Sequence, residues 1–107
     1  RHALHANPEL SKREYHTSAF IKSELDKMGI SWRPCGLETG ILATIRGEKR
    51  KIAQKKTLEK TILLRADMDA IAVEEQTKAP YASRNEGVMH ACGHDCHVSM
   101  LLTAAHI

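Results

Sequence analysis

The first sustained periodicity along the chain lies between residues 10 and 29. Tyr15, Ser18, Ile21, Leu25 and Met28 recur at the spacing of one helix face, with Phe20 beside them. Ser11-Lys12-Arg13-Glu14 ahead of them fits a capping box, in which the Ser11 hydroxyl accepts from the Glu14 amide and the Glu14 carboxylate reaches back. Leu10 and Tyr15 occupy the hydrophobic-staple positions, and Gly29 supplies a left-handed stop. The pattern predicts a helix from Lys12 to Met28 packed by one face on a sheet.

Shorter apolar runs follow. Residues 30–33 read as extended and end at Pro34, and the β-branched run 41–45 after Gly40 reads as a strand. Residues 61–64 are continuously apolar, as expected of a strand buried on both faces, and lead directly into Arg65, Asp67 and Asp69. Pro80-Tyr81 predicts a turn, and residues 87–94 an extended segment. From Asp95, a candidate N-cap, Val98, Leu101, Leu102 and Ala105 take helical spacing. A helix, then strands, then a helix predicts an α/β layered domain.

Composition narrows this picture. A chain of 107 residues holds one domain at most, and with only four aromatic residues its core must be largely aliphatic. The small positive net charge of +3 is concentrated in residues 47–60. That run lacks aromatics, also carries Glu48 and Glu59, and lies between two strand-like segments, so a solvated loop is expected there and no nucleic-acid partner. No apolar run approaches the ~18 residues of a membrane span, and no secretory signal is present, so no membrane partner is expected. Three cysteines, two of them beside histidines, favour a reducing compartment over a disulfide framework, with the cytoplasm as the expected location. A chain that begins at Arg1 and ends at Ile107 inside a helical pattern is expected to be a segment of a longer one.

Candidate chemistry is densest in MHACGHDCH, residues 89–97. If that segment is extended, His90, Cys92 and His94 share a face. Thiolate and imidazole are the usual ligands of zinc and similar divalent ions. The competing reading is a buried cysteine among structural histidines. Asp67 and Asp69, at a strand's C-terminal end, either hold a metal, orient a ligating histidine, or simply begin a solvated loop. Haem attachment is disfavoured because Cys92 to His97 has one residue too many for C-x-x-C-H. A zinc finger is disfavoured because the only other cysteine is the isolated Cys35.

RHALHANPELS, TGILATIRG, LRADMDAIAVEEQT, PYAS and GVMHACGHDCHVSMLLTAA occur in that order. Together they resemble the N-terminal part of the N-acyl-amino-acid amidohydrolases, the group of hippurate hydrolase, N-acetyl-diaminopimelate deacetylase and the auxin-conjugate hydrolases, related to aminoacylase and the zinc carboxypeptidases. The resemblance implies part of an αβα-sandwich metallohydrolase domain, without the lid domain that such enzymes insert later. It implies two divalent metal ions in the complete enzyme (manganese, zinc, cobalt or nickel), with Cys92 and His94 as ligands. Asp69 is implied to orient a ligand, and Asp67, His90, Asp95 and His97 to support the site. The implied reaction is hydrolysis of the amide bond of an N-acyl amino acid by metal-activated water, in a homo-oligomeric enzyme. The chain departs from the family pattern at Ala72, where many relatives have proline, and at Lys78, where they have glycine. The proton-shuttling glutamate and further ligands follow this segment in relatives, so the 107 residues alone are expected to be inactive. The alternative is a non-catalytic remnant or small α/β module with at most a structural metal site.

Overall fold

The computed structural model describes residues 1–47 and 60–107. The basic run lies, except at its two ends, outside the described residues. The elements are α1 (His2–His5), α2 (Tyr15–Lys27), β1 (Trp32–Cys35), β2 (Leu37–Ala43) and α3 (His94–His106).

Helix α2 begins three residues later than its capping-box pattern predicts, because a different side chain satisfies its free amides. The two carboxylate oxygens of Glu9 accept from the backbone N–H groups of His16 (3.1 Å) and Thr17 (2.7 Å). Glu14 becomes the N-cap residue. Its carboxylate does reach back, but to the Lys12 amide (2.9 Å) instead of Ser11, and it also accepts from the Thr39 hydroxyl (2.7 Å). Negative charge from both glutamates beside a helix N-terminus is favourable. Gly29 closes the helix at φ 68°, as its position predicts.

β1 and β2 form an antiparallel pair with Trp32 opposite Ala43 and Pro34 opposite Ile41. β2 starts four residues before the predicted run, at Leu37, and packs on α2, where the Ser18 hydroxyl donates to the Thr39 carbonyl (2.8 Å). Leu4, Ile21, Leu25 and Val98 form the buried core, and Ile41, Met68 and Leu102 pack around it. The core is aliphatic and draws on α1, α2 and α3.

Residues 61–64 do not form the doubly buried strand that their composition predicts. Among the described residues no strand pairs with them, and Ile62 (84%) and Leu63 (78%) are highly exposed. Parallel-type strands need both neighbouring strands and covering helices. Here Leu64, Ala66 and Met68 instead edge an open apolar groove of about 450 Å³ shared with α2, β2 and α3.

Past Met68 the chain re-enters ordered pairing. Ala70 forms a parallel bridge with Leu10, and Ile71 an antiparallel one with Met89. The Ala70 amide donates to the Glu9 carbonyl (2.7 Å), and Ile71 and Met89 exchange two bonds of 3.0 Å. Residues 70–71 are thus held between residues 9–10 and residue 89, which places Asp69 alongside the start of α3.

Candidate metal centre

The extended segment predicted for residues 87–94 is replaced by turns and a helix start. Only residue 89 is bridged, residues 91–92 form a turn, and α3 begins at His94. The alternation that would align His90, Cys92 and His94 is therefore lost: His90 is buried at 4% exposure, whereas Cys92 is exposed. Gly93 makes the turn possible. It is the N-cap of α3 at φ 77°, a conformation costly for any residue with a Cβ. Asp95, predicted as the N-cap, lies one residue inside the helix, and its carboxylate is used elsewhere.

His94 is half-buried, and its ring is held by Asp69. The Nδ1–H is shared between the Asp69 backbone oxygen and Oδ1, each at 2.9 Å. This fixes the tautomer and leaves Nε2 with its lone pair. The free thiol of Cys92 lies two residues before it, on the exposed side of the same turn. The donor chemistry therefore fits one part of a transition-metal site: a thiol and a carboxylate-oriented imidazole at a strand–turn–helix junction. Among the described residues no group of three or more potential ligands converges on one point, so these two donors do not complete a coordination shell by themselves.

The other predicted residues take distinct positions. Asp67 pairs with the exposed Arg65 side chain. His97 is exposed in the first turn of α3, its ring centroid 5.7 Å from that of His94. His90 has neither ring nitrogen hydrogen-bonded among the described residues, and burial holds it below the ordinary histidine range, with the Asp95 charge opposing. Asp95 is 1% exposed. Burial alone would push its carboxyl up, but hydrogen bonds from His5 and Arg1, together with the Arg1 charge, outweigh that and hold it below the usual aspartate range.

Two residues that pattern reading gives no role complete this network. His5 Nδ1 lies 2.9 Å from Asp95 Oδ2, and its Nε2 lies 3.2 Å from Glu75 Oε1. Glu75 also accepts from the Ser83 amide (2.6 Å) and the Thr77 hydroxyl. These partners are 90 and 70 residues apart in sequence, and no local periodicity signals such contacts. The one available signal is charge density: RHALH and VEEQT carry polar residues on segments that the fold packs together.

An α/β scaffold that presents a thiol and a carboxylate-oriented histidine at the N-terminus of a helix offers two donors suited to a divalent transition metal. Comparison with known proteins shows what the chain resembles. The sequence profile of peptidase family M20/M25/M40 matches residues 63–107. The chain is 51% identical over 105 residues to N-acetyl-L-cysteine deacetylase of Bacillus subtilis, covering 98% of this chain and 23% of that protein. It is 46% identical to thermostable carboxypeptidase 2 of Saccharolobus solfataricus (100% and 25% covered) and 46% to IAA-amino acid hydrolase ILR1-like 6 of Arabidopsis thaliana (100% and 21%). Among solved structures it is similar to Bacillus subtilis YXEP protein, described as a dinuclear metal binding peptidase from the M20 family. The TM-score is 0.85 at 37% identity, covering 98% of this chain and 27% of that one. A putative aminohydrolase from methicillin resistant Staphylococcus aureus gives 0.82 at 35%, covering 98% and 26%. The chain is thus similar over almost its whole length to proteins of the peptidase M20 group, and the M20/M25/M40 profile itself accounts for residues 63–107. It spans about a quarter of the length of the relatives it matches.

Proposed function

We propose that this chain supplies one wall and two ligands of a two-metal amidohydrolase that cleaves the amide bond of N-acyl amino acids. The observation that carries the reading is the shared hydrogen bond from His94 Nδ1 to Asp69, which aims a free Nε2 from the turn that also exposes Cys92. The names of the relatives support the substrate class, since a deacetylase of N-acetyl-L-cysteine and a hydrolase of IAA-amino acids both act on acylated amino acids.

When bound, the metal ions supply water activation at neutral pH and polarisation of the amide carbonyl. The residues of this chain bind and orient. The Cys92 thiolate and the His94 imidazole would hold metal, Asp69 orients the His94 ring, and Asp95, bonded to His5 and Arg1, fastens the turn on the side where His90 is buried. Thiolate, imidazole and carboxylate together suit manganese, zinc, cobalt or nickel. A cytoplasmic, homo-oligomeric complete enzyme acting on a small substrate with a free carboxylate follows from the same reading.

With two donors and no assigned proton-shuttling glutamate, the 107 residues alone are expected to bind metal weakly and not to turn over substrate. The test measures cobalt(II) binding to the chain and hydrolysis of an N-acetyl amino acid, with and without chelator. Weak binding that disappears in Cys92→Ala supports the assignment. Unchanged binding in that variant removes Cys92 from the site, and hydrolysis abolished by chelation refutes the expected inactivity.

A further inference from the structure

The segment 69–75 is tied twice to the first residues of α3. One tie is direct, Asp69 to His94. The other runs through a side chain contributed from the opposite end of the chain: Glu75 to His5 to Asp95, with contacts of 3.2 and 2.9 Å. The His5 side chain is 7% exposed, that of Glu75 3%, and that of Asp95 fully buried. We propose that His5 is a positioning residue for the metal-binding turn, bridging Glu75 and Asp95 so that His94 meets Asp69 in register. The inference rests on the assignment of His94 as a ligand.

The physical case is geometric. His94 and Asp95 are consecutive in the first turn of α3, so a constraint on the Asp95 carboxylate also fixes where the His94 ring originates. Asp69 alone cannot supply that constraint, because it accepts through one shared N–H and both groups are partly exposed. An imidazole with a carboxylate oxygen at each ring nitrogen is a rigid spacer of fixed length. Glu75 is itself anchored by the Ser83 amide, and the Arg1 guanidinium donates to the same Asp95 oxygen (2.9 Å), so both ends of the bridge are held. α1 carries His5 and touches α3, which gives the bridge a short, fixed span.

The test uses the whole chain and two readouts. The first is amide hydrogen exchange in the metal-free chain at Gly93, Cys96 and His97, whose N–H groups close the turn and the first helical turn onto His90 and Gly93 oxygens. The second is cobalt(II) affinity, read from thiolate-to-metal charge-transfer absorption. His5→Ala is expected to speed exchange at residues 93–97 about tenfold, leave α2 within about twofold, and weaken cobalt binding about tenfold, as loss of an outer positioning partner does. His5→Asn retains a donor toward Asp95 and His5→Gln one toward Glu75. A bridge needs both, so each variant should behave like His5→Ala. Should His5→Ala not fold, Glu75→Gln carries the same exchange measurement. Unchanged exchange at 93–97, or equal acceleration in α2, overturns the proposal. Faster local exchange in a chain that gives no cobalt absorption even as wild type leaves the bridge standing and sinks the ligand assignment instead.

Discussion

Replacing Asp69 by alanine isolates the orienting step. In the folded chain one N–H of His94 is divided between two acceptors of the same residue, both at 2.9 Å, and only one of them is the carboxylate. Alanine removes Oδ1 and leaves the backbone oxygen. Loss of an outer partner commonly costs 10–100-fold in metal affinity. Because the backbone acceptor survives, and the two side chains are 21% and 27% exposed, the lower limit applies. Asp69→Ala should therefore weaken cobalt(II) binding about tenfold, equivalent to about 1.4 kcal/mol. Asp69→Asn keeps an oxygen acceptor and loses only charge, so about threefold is expected. The assay is titration of the chain with cobalt(II), followed by charge-transfer absorption of the Cys92 thiolate. Nitrogen-15 NMR of the imidazole reads the same event without metal. Wild-type His94 should hold its proton on Nδ1, and the alanine variant should shift toward the Nε2–H form. Affinity of Asp69→Ala within about twofold of wild type, together with an unchanged tautomer, would refute the orienting role.

Three other outcomes follow from the packing. Glu9→Ala removes both acceptors at the start of α2 and should cost about 1 kcal/mol, or on the order of 5 °C in melting temperature by circular dichroism; no change would mean that Glu14 caps the helix unaided. Leu25→Ala empties a core position that is 3% exposed but borders the open groove, so its cost in urea denaturation should be about 2–3 kcal/mol, the low end for such truncations. Hydrogen bonds from the Thr77 hydroxyl and the Ser83 amide, then His5, hold Glu75 below the ordinary glutamate value of 4.5. Its contribution is present above that value and is lost as pH falls through the lower folded one, so the stability gap between wild type and Glu75→Gln should narrow on acidification from about pH 7 to about pH 3. A gap that widened instead would mean that Glu75 is not stabilised as the anion.

The parts of the fold that local pattern reveals are those whose causes are local. The buried face of α2 at Ser18, Ile21 and Leu25 and the Gly29 stop depend on side chains within a turn or two of each other and stand where spacing predicts, whereas Tyr15, predicted on that face, is 50% exposed. The cap is displaced because Glu9 reaches His16 and Thr17 from outside the four-residue box, and a motif confined to those four residues excludes it. Residues 61–64 fail as a buried strand for the opposite reason: their composition records a need for neighbours, and among the described residues no strand pairs with them. At the candidate site, the contact of Asp69 with His94 matches one of the alternatives that the sequence left open for that carboxylate, although among the described residues no strand ends there. The separation of His90 from Cys92 departs from the pattern, because residues 91–92 form a turn closed by the Gly93 amide on the His90 oxygen, and strand alternation does not operate through it.

His5, Glu75 and Asp95 also show why a charged network can occupy the buried side of such a turn. Burial works against the charge on Asp95, and only the bonds from His5 and Arg1 reverse the balance. Buried ion pairs of this kind seldom add stability over apolar packing of the same volume, because desolvation consumes most of the attraction. What they add is direction. Apolar contacts such as Val98 on Leu25 tolerate sliding by a fraction of a rotamer, whereas an imidazole with a carboxylate at each ring nitrogen accepts one separation and one orientation. A ligand such as His94 must be held to within about half an ångström of its productive position. The segment that carries Asp69 reaches the start of α3 through Asp69 to His94 and through Glu75, His5 and Asp95, and these directional bonds set the orientation that core packing around Met68 and Val98 leaves open.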